Sequence, residues 1–376
     1  MARLDEICAI NMGQSPDSST YNEDSNGLPF FQGNADFGEI YPAVRMWCSE
    51  PTKIAQEKDV LISVRAPIGA LNIANCECCI GRGLAALTVN EDICAQEYLW
   101  HVLSSKVDEL NSKGTGSTFK AINKKTLSEI EIPLPPLDEQ RKIAAVLDKV
   151  SDLIAKRRQQ LDKLDELVKS RFIELFGDPL VDDGRYPKRA LGALEEVGSS
   201  KRIFEKEYVA EGVPFYRTKE IVELSKGNRI TTELFITRER YDEIRDEYGM
   251  PQKGDLLISA VGTIGVIWIV DGQNDFYFKD GNLLRVAATE RFAPTYLKHL
   301  LESLIGAYKQ EMSSGTAYAA LTISALKEMQ VYEVPLAEQE QFAAFVAQTD
   351  KSKLAVQQGL QELEILKKSL MQEYFE

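Results

Sequence analysis

The sequence predicts an α+β fold in which two mixed α/β domains are separated by two long antiparallel helices in a pseudo-two-fold arrangement. Three features lead to this prediction: an internal duplication, a seven-residue apolar period in each copy, and short β-branched runs ahead of each helical segment. A chain of 376 residues with 44% hydrophobic residues has enough apolar material for more than one core.

The duplication is clearest around two matching phrases, PLDEQ and PLAEQ. The stretch GSTFKAINKKTLSEIEIPLPPLDEQRKIAAVLDK aligns without a gap with GTAYAALTISALKEMQVYEVPLAEQEQFAAFVAQ. Leu127 falls on Leu326, and Pro136 falls on Pro335. Upstream, GLPFFQ matches GVPFYR and KDVLISVRAPIG matches KGDLLISAVGTIG. The sequence is therefore organised as domain, helix, domain, helix, with boundaries at 1–136, 137–177, 178–335 and 336–376.

Each helical segment carries an apolar seam with a heptad period, which is typical of helices that pack lengthwise against a partner. The first segment predicts a helix of about 38 residues, or about 57 Å, ending near Gly177 and Pro179. Lys353, Gly359 and Lys367 weaken the second seam. The simplest partner for each helix is the other copy, paired antiparallel. The predicted pairing residues are Leu147, Ile154, Leu161, Leu164, Val168, Leu175, Val356, Leu360, Leu363 and Leu370.

The strand candidates precede each helix in the same order. DVLISV and LAALTV are β-branched or apolar runs in the first copy, and DLLISAVGTIGVIWIV and NLLRVAA are the runs in the second. Segments rich in Gly, Asn, Asp and Ser separate these runs, as loops on a scaffold would. The insert between the PF strand and the DLLIS strand is longer in the second copy.

Composition restricts the classes of function. A formal net charge of -14 argues against holding DNA by bulk attraction. The six cysteines lie in the first hundred residues without the spacing of a zinc site, so buried free thiols are the preferred interpretation. No signal-like N-terminus and no long apolar run is present, so a cytoplasmic protein without membrane contact is expected.

Catalytic signatures are missing from the sequence. It contains no phosphate-binding loop, no Gly-x-Ser-x-Gly elbow and no His-Glu-x-x-His helix. The phrase LPPL lacks the polar first residue and the aromatic of an amino-methyltransferase motif. His101 and His299 lie inside apolar helical patterns and are interpreted as packed residues. We therefore expect no catalytic residue, no metal site and no cofactor in this chain.

The repeated phrases resemble those of the specificity (S) subunits of type I restriction-modification systems. The central stretch from Gly116 to Pro179 is similar to the central region of that family, and GDLLISAVGTIG, CIGRGLAAL and PLAEQEQFAAFV are similar to its other recurring phrases. The resemblance covers nearly the whole chain in the family's own order. It implies that the two α/β domains are target-recognition domains.

The resemblance also implies a function and partners. Such subunits are non-catalytic, and each recognition domain reads one half of a bipartite, asymmetric site in double-stranded DNA. The helix pair sets the spacer and docks two modification (M) subunits, which carry S-adenosylmethionine and methylate adenine. Restriction (R) subunits, which use ATP and Mg, join the complex. Clamping of the DNA backbone by the M subunits would answer the objection raised by the acidic charge.

Residues near the strand ends are the candidates for DNA contact. Amides suit adenine and arginine suits guanine, whereas Ser, Thr and Lys suit phosphate. For each residue the alternative is an ordinary solvated side chain. The candidates are Gln32, Asn34, Arg65, Arg82, Ser117, Thr118 and Lys120 in the first copy, and Arg217, Lys219, Lys226 and Arg229 in the second.

Two other classes of function remain open at this stage. A stand-alone restriction-methylation enzyme would need a methyl-donor site and an Asn/Asp-Pro-Pro-aromatic motif, which this sequence lacks. A coiled-coil scaffold would not need two elaborated and divergent α/β domains. A map of methylated DNA sites distinguishes all three.

Overall fold

The computed structural model divides the chain into two compact units. Unit 1 comprises Met1–Gln159 and Gln357–Glu376, and unit 2 comprises Gln160–Val356. Each unit therefore contains one globular domain and one part of each long helix. The residues that the structure describes are 1–116, 120–313 and 320–375.

The globular part of unit 1 is a mixed α/β domain built from short strands. Its strands are β1 (Ala2–Arg3), β2 (Cys8–Met12), β3 (Tyr21–Asn22), β4 (Leu28–Phe31), β5 (Trp47–Cys48), β6 (Ile54–Ala55), β7 (Val60–Ser63), β8 (Leu71–Ile73), β9 (Cys78–Ile80), β10 (Leu84–Val89) and β11 (Glu131–Ile132). Its helices are α1 (Leu4–Ile7), α2 (Gln96–Ser105), α3 (Val107–Lys113), α4 (Lys124–Ser128) and the first part of α5 (Leu137–Phe176).

The strands of unit 1 form a sheet in the order β2-β10-β7-β8, all antiparallel, and a second sheet in the order β3-β5-β4-β9-β6. In the second sheet β4 and β9 run parallel, with Phe31 opposite Ile80. Apolar and polar residues do not alternate along the first part of β10, because its residues from Leu84 to Leu87 are buried on both faces of the sheet. The predicted strands DVLISV and LAALTV are confirmed as β7 and β10.

The globular part of unit 2 repeats this arrangement. Its strands are β12 (Lys188–Ala190), β13 (Val197–Gly198), β14 (Val213–Tyr216), β15 (Phe235–Ile236), β16 (Leu256–Ser259), β17 (Ile267–Ile269), β18 (Tyr277–Phe278), β19 (Leu283–Val286) and β20 (Gln330–Tyr332). Its helices are α6 (Leu191–Leu194), α7 (Thr218–Ser225), α8 (Arg238–Tyr248), α9 (Pro294–Ser313), α10 (Ile323–Glu328) and the first part of α11 (Leu336–Phe375).

The four-stranded sheet of unit 2 has the same order as that of unit 1, whereas the second sheet has three strands, in the order β15-β14-β18, instead of five. Strands β13-β19-β16-β17 form the antiparallel sheet, and β14 pairs in parallel with β18. The apolar run DLLISAVGTIGVIWIV forms the hairpin β16–β17, and the turn between them contains Gly262 and Gly265 at positive φ of 74° and 86°. Helices α7 and α8 occupy the longer insert that distinguishes unit 2 from unit 1.

The repeated PLDEQ and PLAEQ phrases attach each long helix to its own domain through a buried glutamine. Gln140 accepts a hydrogen bond from the N–H of Ala95 (2.9 Å) and donates to the carbonyls of Ile93 (3.0 Å) and Pro135 (2.8 Å). We call this contact set the glutamine clamp. Because a buried amide must find partners, the clamp fixes the start of the helix against the loop before α2.

Unit 2 contains the same glutamine clamp. Gln339 accepts from the N–H of Ala293 (2.8 Å) and donates to the carbonyls of Arg291 (3.2 Å) and Val334 (2.8 Å). Both clamp glutamines are 0% exposed. The duplicated phrase thus encodes one local structure that is used twice.

The long helices lie antiparallel within each unit, as predicted. In unit 1, Leu147 near the start of α5 shares a core with Phe375 at the end of α11, and Phe375 packs edge-on against Tyr98 of α2. In unit 2, Phe342 near the start of α11 packs edge-on against Phe176 at the end of α5, at 5.7 Å between ring centroids. The end of each helix thus completes the core at the start of the other.

The predicted pairing residues differ in burial. Leu147, Ile154 and Val168 are buried, at 0%, 8% and 2% exposed. The remaining seven are partly buried: Leu161, Leu164, Leu175, Val356, Leu360, Leu363 and Leu370.

The lysines that weaken the second seam are accommodated by charge partners or by partial burial. Lys353 pairs with Asp165 of α5 at 2.6 Å. Lys367 is partly buried, and burial with the nearby Arg158 lowers its pKa while Asp148 opposes the shift. Gly359 leaves room for Arg157, whose Nε would lie 3.8 Å from an added Cβ.

Candidate nucleic-acid interface

The candidate residues of unit 1 are brought together by a chain of backbone hydrogen bonds at one edge of its sheets. The N–H of Gly83 donates to the carbonyl of Gln32 (3.2 Å), and the N–H of Val64 donates to the carbonyl of Gly83 (2.9 Å). The N–H of Ala66 donates to the carbonyl of Lys120 (3.1 Å). We call this the reading edge of unit 1, because Gln32, Arg82, Arg65 and Lys120 all lie along it.

Close backbone contact explains the glycines of this edge. A Cβ on Gly83 would lie 2.5 Å from the carbonyl oxygen of Gln32, and a Cβ on Gly13 would lie 2.2 Å from that of Gly81. Glycine is therefore required at positions 13 and 83 for the strand ends to meet. The side chain of Arg82 points into solvent.

The reading edge of unit 1 is rich in exposed cations. Arg65, Arg82 and Lys120 are exposed, and within the described residues none of them forms an ion pair. Gln32 is exposed and Asn34 is half-buried at the start of a short 3-10 turn. Ser117 and Thr118 lie outside the described residues. This edge thus combines positive charge with amide groups although the whole chain is acidic, which suits contact with DNA.

Unit 2 has an equivalent reading edge. Three of its backbone hydrogen bonds correspond to bonds of unit 1 from Gly81 to Phe31 (2.8 Å), from Val64 to Gly83 (2.9 Å) and from Ile122 to Val64 (2.9 Å). The N–H of Lys279 donates to the carbonyl of Tyr216 (2.9 Å), the N–H of Ala260 donates to Asn282 (2.8 Å), and the N–H of Leu321 donates to Ala260 (2.9 Å). The side chains differ. Where unit 1 has Gln32 after its parallel strand, unit 2 has Arg217.

The guanidinium of Arg217 is already engaged within the unit. Its Nη2 lies 3.0 Å from Oε1 of Glu220, its Nε lies 3.4 Å from Oε2, and Glu220 is 2% exposed. The hydrogen bond to Glu220 raises the pKa of Arg217, and burial opposes the shift. The pair is spaced i, i+3 at the start of α7, so it could have been predicted from the sequence.

The other candidates of unit 2 lie along α7 and just beyond it. Lys219 is exposed near the start of α7, and Lys226 pairs with Glu223 at 3.0 Å at its end. Arg229 lines an open cleft of about 450 Å³ with Trp268 and Phe276. The structure therefore places Arg229 with aromatic side chains.

Arg202 is a residue of the unit 2 edge that the sequence analysis missed. Its Nε donates to Oδ2 of Asp280 at 2.8 Å, and its side chain is 68% exposed. Asp280 follows Lys279, which is on the reading edge. No local spacing links residues 202 and 280, so the pairing becomes visible in the folded chain alone.

The histidines and cysteines belong to the packed scaffold. His101 is 3% exposed, and its Nε2 lies 2.7 Å from Oδ1 of Asp148 on α5. His299 is partly buried, with its ring edge-on to Phe342. The six cysteines carry free thiols, and burial raises the pKa of Cys78 to about 12. The Cys78 thiol therefore stays protonated at neutral pH.

The described residues contain no candidate metal centre and no candidate membrane span. Within residues 1–116, 120–313 and 320–375, no three His, Cys, Asp or Glu side chains converge as the ligands of a metal ion would. Across the same part of the chain, no helix has both the length and the apolar character needed to cross a membrane.

The family of the chain follows from comparison with known proteins. The family model described as the type I restriction modification DNA specificity domain matches residues 1–166 and again residues 186–365. The chain therefore belongs to this family, whose domain recognises DNA and is not catalytic. The two matches contain the two glutamine clamps and the two reading edges.

Individual relatives carry the same description. The putative type I restriction enzyme MjaX specificity subunit of Methanocaldococcus jannaschii is 44% identical over 160 residues, 43% of this chain and 38% of that protein. The putative type I restriction enzyme specificity subunit S.HindORF215P of Haemophilus influenzae is 28% identical over 251 residues, 65% of this chain and 62% of that protein. The alignments thus span less than two thirds of either relative.

A solved structure shares the fold along the whole chain. The crystal structure of the type I restriction-modification system S subunit from M. genitalium has a TM-score of 0.57 and 15% identity, covering 100% of this chain and 95% of that one. The likeness confirms the predicted fold class.

Proposed function

We propose that this chain is the specificity subunit of a type I restriction-modification complex in which each unit reads one half of a bipartite, asymmetric DNA site. The observation that carries the proposal is the pair of reading edges, which share one backbone framework and carry different side chains. Because the two edges share backbone hydrogen bonds, each unit could approach DNA in the same way. Because their side chains differ, the two units would recognise different base sequences.

The helices have a separate role in this proposal. Two 40-residue helices, α5 and α11, connect the globular domains and would set the length of the unread spacer between the half-sites. They would also dock two modification subunits, each of which holds S-adenosylmethionine and methylates adenine. Restriction subunits that use ATP and Mg would join this complex, which we place in the cytoplasm.

The acidic charge of the chain is consistent with a complex in which this chain contacts bases and the modification subunits bind the phosphate backbone. The reading edge of unit 1 supplies local positive charge, whereas bulk attraction to the phosphate backbone would come from the modification subunits. Gln32 and Asn34 are proposed to contact adenine, Arg82 guanine, and Arg65 and Lys120 the bases or phosphates nearby. Lys219, Lys226 and Arg229 are the corresponding proposals in unit 2.

The test is a map of N6-methyladenine in a host that expresses this chain with its neighbouring modification subunit. The control is the same host with the modification subunit alone. A gapped, two-part motif that requires this chain supports the proposal. A complex that assembles and methylates no defined motif contradicts it and favours a scaffold.

A further inference from the structure

The corners of the two reading edges carry opposite side-chain charge on loops of different length, with three residues between β9 and β10 in unit 1 and four between β18 and β19 in unit 2. In unit 1 the corner is Gly81–Gly83, and the N–H of Arg82 donates to Oγ of Ser15 at 3.2 Å. In unit 2 the corner is 279–282, and the N–H of Gly281 donates to Oγ of Ser199 at 3.1 Å. An exposed arginine, Arg82, lies in the first corner, and an aspartate, Asp280, lies in the second.

In unit 2, Arg202 from another segment of the chain supplies the positive charge that Asp280 lacks. Asp280 is 12% exposed in its side chain and accepts from Nε of Arg202, whose own side chain is 68% exposed. Within the described residues the terminal Nη1 and Nη2 atoms of Arg202 have no partner. The two units therefore both present an exposed guanidinium at this corner, from different positions in the sequence.

We propose that Arg202, oriented by Asp280, reads a guanine in the half-site of unit 2. This inference rests on the proposed function and adds to it the residue and the base. Guanine offers the N7 and O6 acceptors side by side in the major groove, and an arginine fills both with its two terminal nitrogens. Asp280 occupies the Nε side of the Arg202 guanidinium and leaves the two terminal nitrogens free for this contact.

The segment that carries Arg202 is held before any DNA arrives. Oγ of Ser199 donates to the carbonyl of Leu283 (2.8 Å), and Oγ of Ser200 donates to that of Phe278 (2.7 Å). The N–H of Lys201 donates to the hydroxyl of Tyr277 at 2.6 Å. Three consecutive residues before Arg202 are thus anchored, which restricts the backbone that carries Arg202, and preorganisation of this kind favours affinity and specificity.

Arg217, the guanine-reading candidate from the sequence, is less suited to this contact. Its Nη2 and Nε already face the buried Glu220, so only Nη1 remains available. A two-nitrogen contact with guanine would require Arg217 to leave Glu220, and a buried carboxylate would lose its partner. Arg202 pays no such penalty.

The experiment uses the purified complex of this chain with its modification subunit. Methylation rates are measured on duplexes that carry the mapped site or one base change at each position. The variants are Arg202→Lys, which keeps the charge and loses the planar fork, and Asp280→Asn, which weakens the orienting contact. The matched control is Arg291→Lys, because Arg291 is also half-exposed and ion-paired, to Glu333 at 3.0 Å, beyond the other end of β19.

We expect Arg202→Lys to reduce discrimination at one guanine about tenfold to a hundredfold, and Asp280→Asn to reduce it less. The other half-site should keep its preferences, and Arg291→Lys should match the wild type. Arg82→Ala should instead affect the half-site of unit 1. A mapped unit 2 half-site without guanine overturns the inference, as does unchanged discrimination in Arg202→Lys.

Assembly of each variant complex is checked by gel filtration, and Arg202→Gln replaces any Arg202→Lys complex that does not assemble. Retained discrimination in an assembled Arg202→Gln complex overturns the inference. A wild-type complex that assembles without methylating a defined motif is a different result, since it rejects the proposed function together with this inference.

Discussion

The glutamine clamp and the corner of the reading edge show opposite outcomes of one duplication. The clamps of Gln140 and Gln339 repeat the same three hydrogen bonds in fully buried surroundings. The corners that contain Arg82 and Asp280 join equivalent pairs of strands but differ in length and in charge. Buried polar groups must keep their partners, whereas exposed ones are free to change. Residues that are the same in both units therefore build the fold, and exposed residues that differ between the units are the candidates for sequence-specific DNA contact.

The largest expected effect tests whether the two clamps are equivalent. Gln140→Met should destabilise unit 1 by about 3 kcal/mol or more, because the Ala95 N–H and two carbonyls lose their partner in a buried site. Gln339→Met should cost unit 2 a similar amount. Hydrogen exchange with mass spectrometry reports each unit separately, and the exposed Glu139→Met is the control. Two clearly unequal losses would break the equivalence.

The next effect tests the corner. Arg82→Asp gives unit 1 the charge of unit 2 at this position without an arginine like Arg202 beside it. Methylation of the mapped motif should fall about a hundredfold, because a carboxylate then faces DNA at the reading edge. Lys125→Asp makes the same charge change on α4, and its methylation should stay near that of the wild type. Equal losses in the two variants would remove the special status of the corner.

A smaller effect concerns the histidines, which are a repeat pair with different burial. Burial lowers the pKa of His101 below its ordinary 6.5, although the contact with Asp148 opposes the shift. The unfolded chain therefore binds a proton at a higher pH than folded unit 1. The stability of unit 1 should be full above about pH 6.5 and fall as the pH drops through the lowered pKa.

His101→Gln should remove this part of the acid dependence while its amide still donates to Asp148. The quantity to measure is the difference in denaturation midpoint between variant and wild type from pH 7 to pH 5. A difference that does not change with pH would show that His101 is not the group responsible.

The smallest effect compares the ion pairs between the long helices. Lys353 and Asp165 in unit 2 are 21% and 61% exposed, and Arg158 and Glu364 in unit 1 are 64% and 46% exposed. Double-mutant cycles with Lys353→Met and Asp165→Asn should give a coupling below about 1 kcal/mol, and the unit 1 pair should give less. Both couplings should shrink at about 1 M salt, where charges are screened within about 3 Å. A stronger coupling in unit 1 would reverse this order.

The sequence predicted the features that repeat and missed those that depend on distant partners. The duplication located the helices, and their heptad seams predicted the antiparallel pairing, because both signals lie in local spacing. The Arg217–Glu220 pair was also local and visible. The Arg202–Asp280 pair joins residues that only the fold brings together, and the use of Gln140 as a clamp depends on the loop before α2. Sequence spacing contains neither contact.

The division of each core between distant segments has a consequence during synthesis. Unit 2 is formed by one continuous stretch, Gln160–Val356, whereas unit 1 needs Gln357–Glu376. Tyr98 can contact Phe375 only after the last turn of α11 has been synthesised. Until then the apolar surface around Leu147 stays uncovered, so the first domain to be translated is the last to be completed. Chaperones that bind exposed apolar surface would therefore bind unit 1 for longer than unit 2 during synthesis, because its core is completed later.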